Sequence, residues 1–74
     1  MNLDTTRARI LYKEAIRDWN TLSDYMHDAV VNQLALYMGI ECTDGVFDVI
    51  LTSLDMEWKF ETMLEELEFE LAEV

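Results

Sequence analysis

The chain has 74 residues, 16 of them acidic and five basic, so its formal net charge is −11 at pH 7. A chain of this length buries only about 60% of the surface that its unfolded form exposes, which leaves room for one small core. We therefore predict a single domain over residues 1–74. The hydrophobic content of 51% excludes an acidic disordered tail.

The compartment is predicted from the cysteine content and from the lengths of the apolar runs. Cys42 is the only cysteine, which excludes an intrachain disulfide. No signal-like apolar stretch occurs at the N-terminus, and no run approaches the ~18 apolar residues of a membrane span. These features predict a cytoplasmic protein.

The first two elements are predicted to be helices. Asp4 can cap the first helix, and Thr21-Leu-Ser-Asp24 has the form of a capping box that would start the second. Gly39 suits the left-handed position after the second helix, with Ile40 as its apolar follower. The apolar residues of the first helix recur at spacings of three and four: Ala8, Leu11, Tyr12, Ala15, Ile16, Trp19 and Leu22.

Two more helices are predicted in the second half. Thr43 or Asp44 can cap a third helix, and a second capping box, Thr52-Ser-Leu-Asp55, predicts a bend near residues 52–55. Met56–Val74 carries the clearest periodic signal in the chain. Its apolar residues lie on one face of a helical wheel: Met56, Phe60, Met63, Leu64, Leu67, Leu71 and Val74.

We therefore predict an all-α fold, a small bundle of three to four short helices. Two glycines and no proline favour helices over strands and turns. The alternative is an α+β fold, with two N-terminal helices and a small antiparallel sheet. Val46–Thr52 is β-prone, and Leu67, Phe69 and Leu71 alternate with glutamates at the period of a strand.

No motif in the chain indicates catalysis. The sequence has no glycine-rich phosphate loop, nucleophile elbow or zinc-protease motif. Cys42 is the only cysteine and His27 the only histidine, so they are the only thiol nucleophile and imidazole base available. The acidic residues around them do not form a recognised zinc or calcium ligand set. We expect a protein that is not an enzyme and that needs no cofactor or metal.

Nucleic acids and membranes are not expected to bind directly. Gln33–Ile40, followed by a helix, is similar to a helix-turn-helix in the spacing of Ala35 and Gly39. The helix that would read DNA, however, carries Asp44 and Asp48 where lysine and arginine are required. The net charge also repels phosphates and anionic lipid surfaces. The expected partner is a basic protein.

The strongest functional signal is the set of acidic residues in the second half of the chain. Carboxylates at spacings of four, four and three along the last predicted segment rise ~6 Å per four residues, which is comparable with the spacing of phosphates along a nucleic-acid strand. Lys59 is the only base that could neutralise them. The first row is Glu57, Glu61, Glu65 and Glu68, the second includes Glu66 and Glu70, and Asp44, Asp48 and Asp55 extend the acidic face.

Two aromatic residues fall outside the apolar stripe of the last segment. On one continuous helix from Met56, Trp58 and Phe69 would lie opposite the stripe. Exposed aromatics surrounded by charge resemble the anchor and rim of a protein interface. Alternatively, another element of the chain covers both side chains.

These observations predict an acidic, protein-binding inhibitor, and its most specific form is a nucleic-acid mimic. Such a protein blocks the basic groove of a nucleic-acid-processing or host-defence protein. By analogy of composition with phage and mobile-element inhibitors of restriction or CRISPR proteins, it would act in the host cytoplasm. The alternative is a homo-oligomeric adaptor, with Trp58 and Phe69 closing a homodimer, or an antitoxin-like regulatory module.

Overall fold

A computed structural model describes residues 5–72. Over this range the chain forms four α-helices and no strand, which confirms the all-α prediction and rules out the sheet. A single 3-10 turn, Trp19–Thr21, follows the first helix. The helices are α1 (Thr6–Asp18), α2 (Asp24–Met38), α3 (Asp44–Asp55) and α4 (Phe60–Ala72).

Side-chain caps set the starts of the two central helices. The Ser23 hydroxyl accepts a 3.3 Å hydrogen bond from the Met26 amide, and Thr43 accepts one of 3.2 Å from Val46. Thr43 was one of the two predicted caps. The predicted start of α2 at Thr21 was wrong, because the Thr21 hydroxyl donates to the Asp18 carbonyl and closes the preceding turn.

The first helix begins without a side-chain cap. Its N-cap residue, Thr5, makes no capping hydrogen bond. The predicted cap, Asp4, lies outside the described residues.

Helices α2 and α3 end in the same backbone motif. Gly39 is left-handed at φ 70°, and the amides of Gly39 and Ile40 donate to the carbonyls of Leu36 and Ala35. These two bonds form the Schellman motif that was predicted from Gly39.

The end of α3 repeats the motif without a glycine. Glu57 adopts φ 55°, and the amides of Glu57 and Trp58 donate to the carbonyls of Leu54 and Ser53. The capping box predicted at Thr52 does not form, because α3 continues to Asp55. The last helix therefore begins at Phe60, and the prediction of a continuous helix from Met56 was wrong.

The core lies between all four helices. Helix α3 packs on α4, α1 packs on α2, and α3 also contacts α2 and α1. Met56, predicted on the apolar stripe, is 65% exposed because it lies in the turn before α4. Val74 lies outside the described residues. The buried hydrophobic residues are Ala8, Tyr12, Ala15, Trp19, Val31, Leu34, Ala35, Met38, Val46, Ile50, Leu54, Phe60, Met63 and Leu67.

Candidate protein-binding face

The negative charge is concentrated in α3, α4 and the turn between them. We call residues 44–72 the acidic hairpin. It holds nine acidic residues and one base, Lys59, whereas residues 5–43 hold five acids and four bases. The nine acids of the hairpin are the same nine that were predicted from the sequence, and some of them contact other residues of the chain while others do not.

Glu61 forms an intramolecular ion pair. Its carboxylate forms an ion pair with Arg9 of α1, whose guanidinium also lies 4.6 Å from the centre of the Phe60 ring. The hydrogen bond from Arg9 lowers the pKa of Glu61 below its usual value, against a smaller opposing effect of desolvation. Glu61 therefore joins α1 to the first turn of α4 and is not a free member of the acidic row.

Asp55 belongs to an aromatic cluster at the end of α3. It accepts a 2.6 Å hydrogen bond from the indole Nε1 of Trp19, which is buried. The imidazole of His27 stacks on Trp19 with ring centres 3.7 Å apart, and its Nε2 donates to the Trp19 carbonyl at 2.7 Å. Asp55 thus satisfies a buried donor, a role that composition and periodicity do not indicate.

Glu57 and Glu70 also depart from the predicted rows. Glu57 is exposed but lies in the turn, so the four-residue row on one helix was wrong. Glu70 is half-buried against the first turn of α3, where a Cβ added at Gly45 would overlap its carboxylate. The unpaired backbone N–H groups at a helix N-terminus favour a negative charge in that position.

Apart from Asp55, which bonds to Trp19, and Glu57, which lies in the turn, five predicted acids are exposed and form no ion pair within residues 5–72. They are Asp44, Asp48, Glu65, Glu66 and Glu68. The two ion pairs of the described chain use Glu61 and Asp18 instead. We call these five residues the free acidic face.

The two predicted aromatic anchors differ in exposure. Phe69 is 68% exposed and, with Ala72 and two members of the free acidic face, Glu65 and Glu68, lines a shallow groove of about 400 Å³. Its predicted exposure is confirmed. Trp58 is half-buried in the turn before α4, and its carbonyl accepts a hydrogen bond from the Tyr12 hydroxyl, so its predicted position opposite the stripe was wrong.

A small positive region lies near the N-terminus of α4. A cavity of about 280 Å³ there is lined by Arg9, Lys13 and Lys59 together with Trp58 and other α1 and α4 residues. Arg9 is engaged by Glu61, but neither lysine forms an ion pair with any residue in the described part of the chain. This region lies where α1 meets the start of α4.

Cys42 and His27 are in environments that oppose nucleophilic chemistry. Burial, and then the charge of Asp44, raise the pKa of the Cys42 thiol, which reduces its thiolate fraction at neutral pH. His27 is held on Trp19 and not on the thiol. Within residues 5–72, no three metal-ligating side chains are grouped to hold an ion. In the same range, no helix has both the length and the apolar character that a bilayer crossing requires.

Comparisons with family models, with curated proteins and with solved structures give no match for this chain.

Proposed function

We propose that the chain binds a basic protein through the acidic hairpin and inhibits it by occupying the site where that protein holds nucleic acid. The observation that carries this proposal is the segregation of charge. One half of the molecule is close to neutral, and the other holds nine acids with one lysine. Unbalanced charge opposes folding through self-repulsion, so solubility alone does not account for such an excess on one side.

The free acidic face supports the proposal because its carboxylates are unpaired within the described residues. Asp44 and Asp48 lie on α3, and Glu65, Glu66 and Glu68 lie on α4. Groups of one sign on one side of a protein steer a partner of opposite charge and raise its association rate. Salt weakens such attraction, so we expect affinity to fall as ionic strength rises.

Nucleic-acid mimicry is the specific form that we favour. A lysine- and arginine-lined groove that neutralises phosphates can accept carboxylates in their place, because both ligands offer negatively charged oxygen acceptors. Phe69, exposed beside Glu65 and Glu68, adds an apolar contact that resembles a base packed beside its phosphates. The chain itself would bind no DNA or RNA and no membrane.

The test compares two variants with equal changes in net charge. Glu65, Glu66 and Glu68 are changed to lysine in the first, and Glu14, Asp24 and Asp28 of α1 and α2 in the matched control. Each variant and the wild type is immobilised and exposed to a cell lysate, and captured proteins are identified by mass spectrometry after elution with duplex DNA. We expect basic nucleic-acid-binding proteins on the wild type and the control, and their loss on the hairpin variant.

Two outcomes would contradict the proposal. Equal loss on both variants would show that only total charge matters. Capture that duplex DNA does not release would show that the bound surface is not a nucleic-acid site.

A further inference from the structure

The outward side of α2 carries an unpartnered stripe at coiled-coil spacing. Tyr25, Ala29, Asn32 and Leu36 are all exposed and follow one another at intervals of four, three and four. Alternating intervals of three and four place residues on one seam of a helix, as at the a and d positions of a heptad. We call these four residues the α2 stripe. Tyr25 is 80% exposed and Leu36 is 68% exposed.

The charge around the α2 stripe distinguishes it from the rest of the surface. Residues 29–40 contain no charged side chain, although the chain as a whole carries −11. Helices α1 and α2 together hold four acids and four bases, and the acidic hairpin holds nine acids and one base. Helix α2 itself carries only Asp24 and Asp28, both near its start, so two copies that approach through α2 meet fewer like charges than copies that approach through their hairpins.

The apolar surface on this half of the molecule is larger than the stripe alone. Ile10 on α1 is 58% exposed and Met26 on α2 is 43% exposed. A standard interface buries about 800 Å² per partner. That area is about a sixth of the 5149 Å² exposed by the described residues.

Asn32 lies in the middle of the α2 stripe. Its side-chain amide donates a 2.9 Å hydrogen bond to the Asp28 carbonyl one turn earlier, so its polar group is already satisfied within α2. A single asparagine in an apolar helical seam sets register and oligomeric state at some loss of stability. In a helix pair Asn32 would therefore interrupt the apolar contact and lower its stability.

We propose that a second copy of this chain covers the α2 stripe and forms a homodimer through two α2 helices. The two acidic hairpins remain accessible outside this contact, because the stripe uses no residue of either. The dimer differs from the one expected from the sequence, in which Trp58 and Phe69 would form the contact. It does not depend on the proposed function, since the chain alone forms it.

Analytical ultracentrifugation of the purified chain over a concentration series tests this dimer. The wild type should change from 8.7 kDa to twice that mass as its concentration rises. Leu36→Glu should remain monomeric, because the carboxylate would be buried in the seam. Phe69→Glu is the matched control, since Phe69 and Leu36 are equally exposed at 68%, and it should dimerise as the wild type does.

A second variant moves the equilibrium in the opposite direction. Asn32→Leu completes the apolar seam and should lower the concentration of half-dimerisation by about tenfold or more. Circular dichroism checks that each variant keeps its helices. A wild type that stays monomeric up to ~1 mM would overturn the proposal. Dissociation by Phe69→Glu but not by Leu36→Glu would also overturn it, because the contact would then lie on the hairpin.

Discussion

The Tyr12 hydroxyl donates a 2.7 Å hydrogen bond to the carbonyl oxygen of Trp58, and thereby attaches α1 to the turn between α3 and α4. The same hydroxyl lies 3.2 Å from the Ser53 carbonyl, and the Tyr12 ring meets Phe60 edge to face at 5.4 Å between ring centres. Tyr12 is 2% exposed. This side chain therefore holds the acidic hairpin on the neutral half of the molecule.

Tyr12→Phe should lower the free energy of unfolding by about 1–2 kcal/mol, because the ring contacts remain while the half-buried Trp58 carbonyl loses its donor. Chemical denaturation at pH 7 measures this change. Tyr25→Phe is the control, since Tyr25 is 80% exposed in the single chain, and it should leave the stability of the monomer unchanged at concentrations below dimerisation. Equal stability of wild type and Tyr12→Phe would show that the hydroxyl does not hold the turn.

The same residue predicts a loss of stability at alkaline pH. Burial raises the pKa of Tyr12 above its usual value of 10.0, and the Ser53 side chain partly opposes that effect. A group whose pKa is higher in the folded state stabilises the fold below its unfolded pKa, and this contribution disappears as the pH rises through the folded value. Wild type should therefore lose stability above pH 10 more steeply than Tyr12→Phe.

The ends of α2 and α3 predict opposite effects of two substitutions. Glu57→Gly should raise the free energy of unfolding by about 0.5–1 kcal/mol, because glycine adopts the left-handed conformation without the strain of a side chain. Gly39→Ala should lower it by about 1 kcal/mol, although nothing lies within 4 Å of the added Cβ, because the cost is in the backbone at φ 70°.

Glu57→Gln separates charge from backbone conformation in that experiment. It removes the same negative charge as Glu57→Gly but leaves a side chain at φ 55°. If thermal unfolding shows the same gain for Glu57→Gln and Glu57→Gly, reduced repulsion accounts for the effect and the strain argument is wrong.

The fold class and most of the core were predictable because apolar spacing determines which helix faces are buried. Phe60, Met63 and Leu67 were assigned to one stripe and are buried together. Gly39 was recognised because glycine is the usual residue at a left-handed helix end. The end of α3 uses the same motif with Glu57, and a glutamate carries no sequence signal for it.

That one unrecognised turn accounts for the errors at Glu57 and Trp58. Because α4 starts at Phe60, a helical wheel drawn from Met56 placed Glu57 and Trp58 incorrectly, whereas Phe69 was placed correctly. The roles of Glu61 and Asp55 depend on Arg9 and Trp19, which are 52 and 36 residues away in the chain. Spacing along one helix carries no information about such contacts.

Two glutamates on α4 predict opposite effects of the same substitution on stability. Glu68 is exposed and forms no ion pair within residues 5–72, so Glu68→Gln removes only repulsion within the acidic hairpin and should raise the melting temperature. Glu61 pairs with Arg9, so Glu61→Gln should lower the melting temperature despite the same change in net charge. Thermal unfolding at low salt measures both effects, and added salt should reduce each of them, because both are electrostatic. If both variants gained stability equally, the Arg9–Glu61 pair would contribute nothing to the stability of the fold. Glu61 would then act, like Glu68, only as one more repelling carboxylate of the hairpin.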